Sequence, residues 1–334
     1  METVKWGIIG CGDVTEVKSG PAFNKIPNSK LVAVMRRNSE KAADYASRHN
    51  VPKWYSNADK LIHDEEINAV YIATQPDSHA EYAIKAIEAG KPVYVEKPMA
   101  RTYHECKEMV KAAKKYNVPL FAAYYRRSLP GFVKVKELIE DNQIGKPYTV
   151  NIQLFKTPSS QELHGDLPWR VKPEISGGGH FFDLASHQFD YLDYVFGPIV
   201  EVNSIVVNKG GLYDAEDTIS ASFRFENGVI GTGSWCFVSS HAGICDKMEI
   251  SGEKGKITFS CFSFDPIIID NNTGKDFFHY EKPKHVQQYL IEEVVKDILG
   301  TGKSPSNGET AIRTSWVMEE IVKNYYKSYK RTVL

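Results

Sequence analysis

Three segments of the chain gather residue types able to do chemistry. GIIGCGDVT, residues 7–15, lies between an apolar run and a stretch of helical spacing, the setting in which a glycine turn lets backbone approach a dinucleotide pyrophosphate. Gly10 permits the tight turn, and Gly12 clears the approach to the helix start at Asp13 and Val14. Thr15 fills the third small position, where Gly or Ala is usual, so helix packing must accommodate a hydroxyl and a methyl there. A tight turn with no ligand is the competing reading. The next apolar run, LVAVM, ends in Arg36 and Arg37, with no acidic residue before Glu40. A carboxylate at that place would hold a ribose 2′-hydroxyl, whereas arginine accommodates a 2′-phosphate, so NADP is expected ahead of NAD; solvated loop arginines are the alternative.

The second segment, AGKPVYVEKPMA, sets Glu96, Lys97 and Pro98 at the end of an apolar strand, where ligands bind in open α/β sheets. A lysine in that partly desolvated position suits polarising a carbonyl or easing deprotonation of a hydroxyl. On spacing alone, Glu96 and Lys97 equally fit a surface ion pair. The third segment, SGGGHFFDLASHQFDYLDYVFG, reads as a glycine-rich loop entering a helix that stops at Gly197 and Pro198. At helical spacing Asp183, His187, Asp190 and Tyr194 form one stripe, with Ala185, Phe189, Leu192 and Phe196 opposite. Periodicity alone favours a solvated polar face; Gly177, Gly178 and Gly179 argue for a place where substrate or backbone must come close. Asp183 stands one helical turn from His187, in reach of the imidazole or of a neighbouring substrate hydroxyl. A zinc site lacks a further ligand at any recognisable spacing, so no metal is expected.

Positioning these segments requires two kinds of architecture. VKWGIIG, KLVAVM, AVYIAT, PVYVEK and PLFAAY alternate with helical stretches such as SEKAADYASRHN and HAEYAIKAIEAG, which predicts an α/β fold whose N-terminal domain, residues 1–124, is doubly wound. Beyond it the pattern changes to PYTVNIQLF, IVEVNSIVVN, TISASFRFENGVIGTGSWCFV and KMEISGEKGKITF, neighbouring antiparallel strands with Asn227-Gly228 as a two-residue hairpin signal. Residues 125–334 therefore read as an α+β domain with a large, mostly antiparallel open sheet, closed by helices near 284–299 and 308–328.

Composition bounds the function. The 334 residues are 42% hydrophobic and 25% charged, with 41 Lys and Arg against 42 Asp and Glu. This balance excludes the basic footprint of a nucleic-acid or anionic-membrane partner. No apolar run reaches the roughly 18 residues of a membrane span, and no secretory signal is read at the start. Five scattered cysteines without a C-x-x-C pair point to a reducing cytoplasm.

Taken together, GIIGCG, IATQPDSHAEYAIKAIEAGKPVYVEKPMA and GGGHFFDLASHQFD resemble the glucose-fructose oxidoreductase, inositol dehydrogenase and rhizopine-catabolism (Gfo/Idh/MocA) family across both domains. The resemblance implies a dehydrogenase transferring a hydride between a nicotinamide and a carbinol or carbonyl carbon of a sugar, a sugar derivative or a cyclic polyol. It makes Lys97 the contact to the reacting oxygen, Glu96, Thr74 and His79 part of the cofactor site, and His187 the general acid and base with Asp183 beside it. Pro98 is expected to follow a cis peptide bond. Gln75 departs from the proline usual after the threonine. At and just past the end of PLFAAY, Tyr124 and Arg126 match a Tyr and Arg of relatives on the substrate side, and Trp169 and Arg170 are candidates to cover a sugar face, with structural roles as the alternative for both pairs. A homodimer or homotetramer through the C-terminal sheet is also implied. Two rival readings are a glycosidase or epimerase that retains its cofactor, and a non-catalytic NADP-binding sensor.

Overall fold

Apolar runs interleaved with helical stretches become six strands, β1 (Val4–Ile9), β2 (Ser29–Met35), β3 (Lys53–Tyr55), β4 (Ala69–Ile72), β5 (Val93–Val95) and β6 (Leu120–Ala122). Between them run α1 (Asp13–Val17), α2 (Ser39–Arg48), α3 (Ala58–Ile62), α4 (His79–Glu88) and α5 (Tyr103–Tyr116). Every pairing is parallel and the order is β3-β2-β1-β4-β5-β6, so the strand order reverses direction between β1 and β4, where doubly wound sheets bind ligands. β4, β5 and β6 and most of β1 and β2 are apolar because both faces are covered, whereas the edge strand β3 is only partly buried. Ile9, Val70, Val93 and Val95 pack with Leu61, Ala83 and Met109 on one side, while Trp6, Ile8, Tyr71 and Tyr94 pack with Phe23 on the other.

The second sheet arises mainly from strands whose buried residues alternate, such as β7, β9 and β10. After α6 (Pro130–Glu140) come β7 (Pro147–Phe155), α7 (Ser160–Leu163), α8 (Pro173–Ser176), α9 (His180–Phe196), β8 (Ile199–Val207), β9 (Thr218–Phe225), β10 (Ile230–Cys236), β11 (Cys245–Gly252), β12 (Gly255–Phe259), β13 (Ile267–Asn271) and β14 (Gly274–Phe278). Their order is β14-β13-β12-β11-β7-β10-β9-β8, antiparallel except for the parallel pair β7 and β10. The β9–β10 hairpin forms, but its loop is one residue longer than the two-residue turn expected. Phe225 and Val229 pair across Glu226–Gly228, and Gly228 (φ +89°) carries the left-handed conformation while Asn227 does not, the type I turn followed by a left-handed glycine.

The computed structural model, which describes residues 2–332, divides into two compact units, Met1–Leu129 with Pro283–Ile312 and Pro130–Lys282 with Arg313–Leu334. This division differs from a boundary at residue 124 with everything later in the second domain. Residues 125–129 and 283–312 belong with the parallel sheet, because α10 (Gln288–Ile298) buries Leu290, Ile291, Val294 and Val295 among Trp6, Ile8 and Phe23. The last helix, α11, is Gly308–Thr332. Among the described residues no helix is long and apolar enough to cross a membrane.

Candidate active site

The glycine turn closes the end of β1 against the end of β4. Gly10 has φ +91°, and a Cβ there would lie 2.6 Å from Thr74 Cγ2 and 2.9 Å from the Ala73 carbonyl carbon, so this glycine is demanded by the fold itself. Gly12 is different: a Cβ would meet only the Gly10 carbonyl, 3.9 Å away. The space beside Gly12 is open. The amides of Gly10 and Cys11 donate to Met35 O, and that of Gly12 to Thr15 Oγ1, which itself donates to Gly12 O at 2.8 Å. Thr15 thus replaces the usual small residue by turning its hydroxyl onto the turn, while Tyr45 Oη donates to its carbonyl. The amides of Asp13 and Val14 have no such partner among the described residues, as the first residues of a helix normally do not. An open glycine with two uncommitted N–H donors fits a phosphate group. Burial pushes the Cys11 thiol up to about 11, so it stays protonated there. Arg36 lies across the same turn, its Nη1 3.4 Å from Cys11 O, while Arg37 is exposed.

The end of β4 and the turn after β5 are braced together. His79 is fully buried, with Nδ1 3.0 Å from Pro98 O and Nε2 3.1 Å from Thr74 O. Burial lowers its pKa, against the two carbonyls that raise it. Thr74 Oγ1 accepts from Ser78 Oγ at 2.8 Å. Gln75 has φ −79° and ψ 153°, a conformation proline also adopts, which explains why glutamine stands here without altering the turn. Lys97 and Pro98 are joined by a cis peptide bond. Glu96 is buried: Oε1 accepts from Tyr71 Oη and Gln287 Nε2, both at 2.5 Å, and Oε2 accepts the Lys97 N–H at 3.2 Å. His79 and Glu96, expected at the cofactor, therefore spend these polar atoms on the protein. Tyr124 and Arg126, expected on the substrate side, are 1% and 3% exposed; Tyr124 packs in the core and the Arg126 guanidinium stacks 5.1 Å over Tyr125.

In the second unit α9 carries Asp183 and His187. The glycine triplet before it is required by internal packing. Gly177 has φ +87°; a Cβ on Gly178 would strike the Phe182 ring at 2.2 Å, and one on Gly179 would strike Glu216 O at 2.6 Å. The close neighbour is the protein's own chain. The helix is held on the sheet by Trp235, whose Nε1 donates to Gln188 Oε1 at 2.8 Å and whose ring packs on Phe181 and Phe189. A solvated polar face is not what forms: of the stripe, His187 and Asp190 are buried and Asp183 and Tyr194 partly so, and Asp193 beside it is buried and bound bidentately by Arg313 at 2.7 and 2.6 Å. Asp183 accepts from Arg170 Nε at 3.1 Å, and the Arg170 guanidinium lies 4.5 Å over the Trp169 ring, so these three expected site residues are brought together.

Four neighbours of these residues, Gln287, Glu216, His180 and Glu162, carry no signal in their spacing. Each meets its partner only through the fold, as Gln287 does at Glu96. Glu216, fully buried, accepts the Gly179 N–H at 2.9 Å and the Tyr326 hydroxyl at 2.5 Å, and burial raises its pKa to about 7. His180 Nε2 lies 2.5 Å from Glu162 Oε1; burial would raise the Glu162 carboxyl, but hydrogen bonds from Ser159 and His180 lower it. Among the described residues no cluster of His, Cys, Asp or Glu is suited to hold a metal.

Residues 4–124 match a family model described as an oxidoreductase family with an NAD-binding Rossmann fold, and residues 132–258 match the GFO/IDH/MocA C-terminal domain. Oxidoreductase P35 of Formosa agariphila is 43% identical over 95% of this chain and 97% of its own. The levoglucosan dehydrogenase of Pseudarthrobacter phenanthrenivorans is 30% identical over 78% of this chain and 74% of its own. A solved levoglucosan dehydrogenase complex with NADH superposes with a TM-score of 0.88 at 25% identity, covering 97% of both chains.

Proposed function

Because the chain belongs to the Gfo/Idh/MocA family of oxidoreductases, we propose that it moves a hydride between a nicotinamide dinucleotide, NADP ahead of NAD, and a carbinol or carbonyl carbon of a sugar, a sugar derivative or a cyclic polyol. The observation that carries the reading is the place of Lys97, at the carboxyl end of β5 and next to β4, whose own end closes on the Gly10 turn at the switch point of the sheet. The levoglucosan dehydrogenase relative supports a carbohydrate-like substrate. When bound, the nicotinamide supplies the hydride chemistry. The residues that would hold the dinucleotide are Asp13 and Val14 through their N–H groups, Gly12 through its open side, and Arg36 at the 2′-phosphate. Thr74 and the buried braces His79 and Glu96 would shape that seat.

Lys97 donates a hydrogen bond to the reacting oxygen and favours its alkoxide character. His187 takes the hydroxyl proton in oxidation and returns it in reduction. Asp183 orients the imidazole or a neighbouring substrate hydroxyl. Trp169, stacked under Arg170, offers an aromatic face to a sugar ring, while Tyr124 and Arg126, buried as they are, take the structural role that is the alternative for them. Ile205 and Ile230, exposed on the outward face of the eight-stranded sheet, lie where we place a homo-oligomer contact. Five free cysteines support a cytoplasmic setting.

Titration with NADPH and NADH, followed by a panel of aldoses, ketoses and cyclic polyols read at the nicotinamide absorbance, tests the proposal. Lys97→Ala and His187→Ala are each expected to cut turnover by about 100-fold or more with NADPH binding retained. Full activity in both variants refutes the roles of Lys97 and His187.

A further inference from the structure

Gln287 lies 191 positions from Glu96 in sequence and touches it directly. The segment just before α10 returns to the first unit and grips two parts of it at once. On one side His285 Nδ1 lies 2.5 Å from Val17 O, Lys25 Nζ lies 2.8 Å from His285 Nε2, and the Gln287 N–H donates to Lys18 O at 3.2 Å. These carbonyls belong to the end of α1, the helix that follows the glycine turn. On the other side the Gln287 side chain is committed through both its polar atoms: Nε2 donates to Glu96 Oε1 and Oε1 accepts from Tyr94 Oη at 3.0 Å. Tyr71 Oη, in turn, donates to the same Glu96 oxygen and lies 3.0 Å from Ser19 Oγ. The second carboxylate oxygen receives the backbone N–H of Lys97.

A buried carboxylate is a costly way to fill space, and apolar residues of the same volume would pack as well. What the polar set adds is direction. Glu96 Oε1 receives Tyr71 Oη and Gln287 Nε2 from two different elements while Oε2 receives the Lys97 N–H, so the carboxylate is held in one orientation, and so is the amide it holds. We propose that Gln287 and Tyr71 are positioning residues for Lys97: through Glu96 they hold the Lys97–Pro98 turn in register with the end of α1, so that the dinucleotide seat and the ammonium are set by one network. The proposal rests on the oxidoreductase reading. Neither residue touches the reacting atoms.

The test uses the full chain with Gln287→Leu, which keeps volume and removes both polar contacts, and Tyr71→Phe, which removes one hydroxyl and keeps the ring. Backbone hydrogen exchange is measured by mass spectrometry, together with NADPH affinity by nicotinamide fluorescence. Both variants are expected to speed exchange across residues 93–101 by about tenfold or more, with α2 and the second-unit sheet unchanged, and Gln287→Leu is expected to weaken NADPH binding at least fivefold. For any panel substrate the wild type turns over, kcat is expected to fall at least tenfold in Gln287→Leu with KM within threefold. Exchange at 93–101 within twofold of wild type in both variants overturns the proposal, and so does a loosening spread evenly over the first unit. Should the wild-type chain bind neither NADPH nor NADH, it is the oxidoreductase reading that has failed, an outcome separate from the exchange pattern.

Discussion

Glu216 sits fully buried behind the glycine triplet, and replacing it with glutamine separates its charge from its shape. The carboxylate receives the Gly179 N–H and the Tyr326 hydroxyl, and glutamine can accept the first through Oε1 and face the second through Nε2. Burial lifts its pKa from the ordinary 4.5 to about 7. Between those values the folded protein holds a proton that the unfolded chain has released, so stability falls as pH rises through that window and levels off above it. At about 1.4 kcal/mol per pH unit the whole span is about 3 kcal/mol. Glutamine mimics the protonated acid and carries none of this loss. Glu216→Gln should therefore match wild type near pH 4.5 and exceed it by about 3 kcal/mol at pH 8, a rise in Tm of about 6–12 °C for a unit of this size. Thermal unfolding of both proteins from pH 4.5 to 8.5 gives the difference curve, in which every other titrating group cancels. Parallel curves, or a variant less stable than wild type at pH 8, would refute the assignment of the charge penalty to this carboxyl.

The two turn glycines should separate. Gly10→Ala, forced to φ +91° against Thr74 and Ala73, should cost about 1–3 kcal/mol of stability in chemical denaturation. Gly12→Ala, with open space beside it, should leave stability within about 1 kcal/mol yet weaken NADPH binding measurably in a fluorescence titration; unchanged affinity would show that no phosphate approaches there. Arg36→Asp should weaken NADPH far more than NADH, by repelling a 2′-phosphate, and equal losses for both would remove Arg36 as its reader.

Parts of the first unit are legible because their causes are local. Trp6–Ile9, Ala69–Ile72 and Val93–Val95 announce buried strands by unbroken apolar character, and Gly10 in the first turn has a backbone requirement that no partner is needed to reveal. Alternation in β9 and β10 likewise states which face is inward: Phe223 and Trp235 fill the spaces left at Gly231 and Gly233. The strands at the far edge, β13 and β14, are not legible in this way; β14 is largely exposed, so its residues lack the alternation that marks a half-buried strand.

The sequence by itself determined that there would be a parallel sheet with a glycine turn at its head, a lysine at a strand end, and a helix bearing Asp183 and His187. It did so because secondary-structure periodicity and turn chemistry act over a few residues. Only the tertiary structure decided what those elements meet. The apolar stripe of α10 is plain in its spacing, yet spacing names a face and not its partner, and the partner is the parallel sheet. The polar stripe of α9 looks solvated, yet His187 and Asp190 on it are buried, and beside it Arg313 arrives from a distant segment to bind Asp193. Glu96 reads equally as half of a surface ion pair by spacing and as a cofactor contact by resemblance, whereas the fold buries it and gives one of its oxygens to Tyr71 and Gln287. Asp193 and Glu96 each had to find a partner across the fold, since leaving a buried polar group unpaired costs more than any local preference can return.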